Sequence, residues 1–114
     1  MMKNNKKQIS EADIEEFDML QPMLKSVYVE ISELSKKKQD GSLNSAKVKI
    51  INRLLVKVQN VLRNEPMIEL LDLLDDDALP SNSDATLIIA QYTTAMKHFK
   101  DKYYDTEDEV WDFD

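Results

Sequence analysis

A chain of 114 residues with a single glycine, Gly41, has few ways to turn tightly, and that scarcity constrains its fold more than any other feature. Sheets use glycine at hairpin turns and bulges, where the backbone enters conformations that side chains oppose. Only three prolines are present to mark further breaks. Long helices joined by short connections are what such a sequence can build.

The apolar residues agree. Ile14, Phe17, Leu20, Leu24, Val27, Ile31 and Leu34 recur at three- and four-residue steps, the period of one helix face. Ser10 stands at an N-cap position with Asp13 three residues on, and Ile9 and Ile14 are spaced as a hydrophobic staple. Pro22 interrupts the stripe, so the helix either kinks or splits there, and the continuity of the stripe favours a kink or tight break over a domain boundary. Lys36, Lys37 and Lys38 suit a helix C-terminus, which Gly41 is expected to close in the left-handed conformation. A second helix is expected over 44–64, with Val48, Ile51, Leu55, Val58 and Leu62 inward. Pro66 opens a short amphipathic helix that should stop near Asp75, because Asp75, Asp76 and Asp77 would oppose the negative end of its dipole. The last helix starts at Asn82 or Asp84 and runs to Tyr104, with Ala85, Ile88, Tyr92, Ala95, Met96, Phe99 and Tyr103 on one face. The expected fold is therefore all-α. It is a compact bundle of about four helices, three long and one short, over 10–104. A polar arm, 1–9, precedes it and an acidic-aromatic tail, 105–114, follows.

Charge is sorted along this scaffold. Residues 36–64 carry a net charge of +7, 65–84 carry −7 and 103–114 carry −6, within a total of −7. An isolated soluble domain mixes its surface charges, so blocks of this kind point to a charged partner.

The chemistry open to the chain is narrow. Without cysteine there is no disulfide, thiolate metal site or cysteine nucleophile. His98, the one histidine, cannot make a two-histidine zinc site or a paired di-iron site. No serine stands in a strand-to-helix turn to form a triad with it, so a surface or boundary histidine is expected. One glycine excludes both the P-loop and the dinucleotide fingerprint. Counted from Asp75, positions 6 and 12 of a calcium loop fall on Pro80 and Thr86, and that motif fails. No catalytic residue, cofactor or metal is assigned, and the chain reads as a non-enzyme. It shows no signal-peptide apolar region and no apolar run long enough to span a bilayer. Its acidity opposes anionic membranes. A cytoplasmic protein without membrane contact is expected.

Binding is what remains. Lys47, Lys49, Arg53, Lys57 and Arg63 make one candidate surface, on the polar side of the second helix. Charge pairing within the bundle or between subunits is the first expectation for it, ahead of an acidic protein partner and of nucleic acid, for which 36–64 holds no aromatic residue to stack on bases. Asp75, Asp76, Asp77, Trp111 and Phe113 make the other. The acids interleaved with Val110, Trp111 and Phe113 resemble, in composition, the acidic-aromatic tail peptides of single-stranded DNA-binding proteins. Those dock in basic pockets of partners, although they end on an apolar residue and this one ends on Asp114. The expected function is that of a protein-binding accessory or regulatory subunit. Self-association between opposite charge blocks is a corollary. One alternative is an acidic nucleic-acid mimic of phage or immunity type that inhibits a nucleic-acid-processing enzyme. It would use Glu65, Glu69, Asp72, Asp75, Asp76, Asp77 and the tail. The other is weak nucleic-acid binding through the basic helix 44–64.

Overall fold

The computed structural model describes residues 9–111. Three helices carry the chain: α1 (Glu11–Lys37), α2 (Ser45–Val61) and α3 (Asn82–Tyr103). Two short strands follow, β1 (Tyr104–Asp105) and β2 (Val110–Trp111). α1 is the central element and packs against both other helices. Each helix begins on a side-chain cap, which satisfies a backbone N–H that the helix itself cannot. Ser10 accepts from Asp13 at 3.1 Å, Asn44 from Lys47 at 2.8 Å and Ser81 from Asp84 at 3.1 Å. Ile9 and Ile14 are both buried beside the first cap, as a staple requires.

Pro22 neither ends nor divides α1. Proline removes the N–H that would reach the Asp18 carbonyl. Both residues lie on the exposed side, so solvent can replace that bond. Phe17, Leu20 and Leu24 stay buried across the break.

Gly41 serves a different purpose from the one expected. α1 is capped by Lys38 at φ −155°, and Gly41 has no positive φ. The loop from 38 to 43 lies instead against the start of α3. Gly41 O accepts the Asn82 N–H at 2.6 Å, and the Asn82 carboxamide donates to Lys38 O at 2.8 Å. A Cβ on Gly41 would sit 3.1 Å from Asn82 Nδ2, so the glycine permits this close approach.

The fourth helix is not formed. Pro66–Leu70 make a single 3-10 turn, and 71–79 continue as a non-helical strap between α2 and α3. A helix this short is marginal without help, and its acidic C-terminal end would be opposed by the dipole. The strap has better partners for its backbone. α3 also departs from the expected row in one place. Ile89 is fully buried and Ile88 only partly, because Ile89 lies four residues after Ala85 and three before Tyr92.

The end of the chain corrects the all-α expectation. Tyr104 pairs with Trp111 and Asp105 with Val110 in a small antiparallel hairpin on a mostly helical protein. The turn is closed without glycine. Asp105 Oδ1 accepts the N–H groups of Glu107 and Asp108, and Glu109 takes the left-handed conformation at φ 55°.

Candidate interaction surfaces

The strap is built on α2. Asn52 and Gln59 stand seven residues apart and so share a helix face, about 10 Å apart along the axis. Leu71 and Leu74, three residues apart in near-extended chain, span about 10 Å as well. The match lets each amide meet the strap. Asn52 donates to the Leu74 carbonyl at 2.8 Å and accepts the Leu74 N–H at 2.9 Å. Gln59 donates to the Leu71 carbonyl at 3.1 Å and to the Tyr92 hydroxyl at 3.0 Å. That hydroxyl donates to the Asp72 carbonyl at 2.8 Å, tying the strap to α3. Tyr92 is fully buried. Burial pushes its phenol up to about 12, against a smaller downward pull from the Gln59 hydrogen bond.

Glu65 is the N-cap residue of the 3-10 turn that leads into the strap. Expected on an acidic surface, it is 3% exposed and accepts from Lys102 at 3.0 Å and from the Tyr103 hydroxyl at 2.8 Å. The Glu65 hydrogen bond is the main cause that raises the Lys102 pKa, whereas burial is the main cause for Tyr103.

Among the described residues, no ion pair joins the basic block 36–64 to 65–84 or to 103–111. The ion pairs among those residues are Lys36–Glu33, Arg63–Asp13, Lys97–Asp101 and Lys102–Glu65. Arg63 leaves the candidate basic surface, because it grips Asp13 of α1 through two nitrogens at 3.0 and 3.1 Å. Hydrogen bonding to Asp13 holds its pKa above the ordinary value. Lys47, Lys49, Arg53 and Lys57 are exposed and make no ion pair among the described residues. Lys49, Arg53 and Lys57 follow one another at four-residue steps, a ridge about 12 Å long. Exposed Ile50 and Val56 lie on its two shoulders.

The acidic and aromatic candidates are separated. Asp75, Asp76 and Asp77 are exposed, with carboxylate oxygens within 4.8 Å of one another. Asp75 Oδ1 accepts the N–H groups of Ala78 and Asp77, and these bonds hold its carboxyl below the usual range. This run leads into the N-terminal end of α3, while Trp111 sits near the other end of that helix, about 30 Å of helix away. Trp111 is partly buried, edge-on to Phe17 and to Tyr104 at 5.1 Å each and 6.3 Å from Phe99. The hairpin thus packs Trp111 on the aromatic seam between α1 and α3. Phe113 lies outside the described residues. His98 is exposed on α3, at the edge of a groove of about 420 Å³.

Asn52, Gln59 and Tyr92 are the residues that sequence reasoning missed as organisers of a surface. The available signal was the pair of amides at a seven-residue spacing beside the apolar stripe of α2. No protein-family model, curated protein or solved structure matches this chain. The geometry defines a three-helix scaffold with segregated charged surfaces. Among the described residues, no helix is long and apolar enough to cross a membrane.

Proposed function

We propose that the chain is a non-enzymatic helical protein-binding domain, a cytoplasmic accessory or regulatory subunit. It offers Lys49, Arg53 and Lys57, extended by Lys47, to an acidic surface of another protein. The observation that supports this reading is the ridge itself. Its like charges repel at each four-residue step, by about 0.2–0.5 kcal/mol per pair, and no acid of the described fold pairs with them. Ile50 and Val56 supply apolar contact on either side. Nucleic acid is disfavoured as the ligand by the absence of aromatic residues from 36–64 and by a net charge of −7.

The test is fluorescence anisotropy with a labelled glutamate-rich peptide and a labelled single-stranded oligonucleotide. Binding of the peptide, lost in Arg53→Glu and retained in Arg63→Ala, is the expected result. Binding of the oligonucleotide alone would overturn the reading. The acidic-mimic reading also has an observation in its favour. Glu69, Asp72, Asp75, Asp76 and Asp77 are exposed and make no ion pair among the described residues. Under that reading, changing the four aspartates to asparagine abolishes inhibition of a nucleic-acid-processing enzyme and leaves the ridge's binding intact. Self-association is tested by light scattering, where a monomer at both low and high salt removes it.

A further inference from the structure

Leu70 and Leu87 are the two most exposed of the large apolar side chains among the described residues, at 70% and 63%. They line the same groove, between the 3-10 turn and the outer face of α3. Exposed leucines in one concave site mark an interaction surface more strongly than leucines scattered singly. On the α3 side, Leu87, Ala90, Gln91, Thr94 and His98 follow one another along the helix. Leu87 to His98 spans three helical turns, about 16 Å. A second helix of similar length can lie alongside, and Ala90 is small enough to let it come close. Acidic residues adjoin the lining: Glu69 and Asp72 are the chain neighbours of Leu70 and Leu71, and Asp84 stands one turn before Leu87 on α3. These three are exposed and make no ion pair among the described residues.

We infer that this groove binds an amphipathic helix of another protein, with an aliphatic central row and lysine or arginine on its flanks. The aliphatic row covers Leu70 and Leu87, and the basic flanks meet the three carboxylates. A second copy's α2 is the wrong shape for the site. The centre of its exposed face is Lys49, Arg53 and Lys57, with Ile50 and Val56 displaced to the shoulders. Docking it would press charge against an apolar floor. The groove shares no residue with the α2 ridge, so this inference stands or falls apart from the ridge reading.

The experiment uses a labelled amphipathic peptide made of leucine and lysine, its leucine-glutamate counterpart, and anisotropy with the full chain. On the Arg53→Glu chain, where the ridge no longer takes acidic peptides, the lysine peptide should bind at least about tenfold more tightly than the glutamate peptide. Leu87→Asp and Leu70→Asp should each weaken it by about tenfold or more, because aspartate buries far less apolar area against the peptide. Both leucines are exposed, and thermal unfolding verifies that the variants fold. Each variant also adds a negative charge, so binding by charge alone would become tighter. Arg53→Glu should leave the affinity unchanged. The inference is overturned by equal binding of the two peptides to the Arg53→Glu chain, by no binding of the lysine peptide, or by its unchanged or tighter binding in the leucine variants. It is overturned equally by a dimer of the full chain that Leu87→Asp dissolves.

Discussion

The basic ridge of α2 and the acidic strap are neighbours in sequence and opposite in charge, yet neither holds the other in place. The ridge sits on a helix whose backbone satisfies itself, so its charged side chains project without structural duties. The strap is not helical and must borrow hydrogen-bond partners. It takes them from two amides and a phenol, Asn52, Gln59 and Tyr92, and leaves Glu69, Asp72, Asp75, Asp76 and Asp77 facing solvent. Removing an ion from water costs far more than removing an amide, which is why neutral groups serve in the seam. Glu65 is the exception, and both of its oxygens are matched.

That contrast can be broken first at Asn52. Asn52→Ala leaves the N–H and carbonyl of Leu74 without their partners and should cost roughly 2–4 kcal/mol in denaturant unfolding. Lys49→Ala, one turn away on the same helix, should cost no more than about 0.5 kcal/mol. Equal losses would erase the distinction between the two faces. Alkaline titration sharpens the role of Tyr92. Its folded pKa of about 12 lies above the value of about 10 for an unfolded tyrosine, so the native state keeps the proton longer. Stability from this group is complete below pH 10 and is lost as pH rises toward 12, by roughly 2–3 kcal/mol. Lys102 and Tyr103, also raised, act in the same direction. Tyr92→Phe should cost about 1–2 kcal/mol at neutral pH and flatten the alkaline loss. Arg63→Ala, which releases Asp13 at a partly exposed pair, should cost only about 0.5–1 kcal/mol and less in high salt.

How much of the fold is legible in the sequence follows from the range of each interaction. The cap at Ser10 and the inward rows of the helices depend on residues three or four apart, and these are legible. Pro22 is ambiguous because its cost depends on whether Asp18 faces solvent, which the tertiary packing decides. The strap reads as a helix because its apolar and acidic residues also fit a helical period. Its actual stabilisers come from 12 to 22 residues away. Trp111 is expected on a partner-binding surface, whereas here it packs on rings of its own chain, and the Phe17 ring it meets lies almost the whole chain away. The exposure of Lys47, Lys49, Arg53 and Lys57 is legible, and the pairing of Arg63 is not, because its partner Asp13 is 50 residues distant.

The most direct test of the comparison is the thermal unfolding midpoint of Arg53→Glu. If the ridge has no structural duty, glutamate replaces two like-charge neighbours with two attractive ones, Lys49 and Lys57. The midpoint should rise by about 2–4 °C, matching a gain of roughly 0.5–1 kcal/mol. The same variant should lose the glutamate-rich peptide. A lower midpoint would show that the fold itself uses the positive charge of Arg53, and would contradict the account.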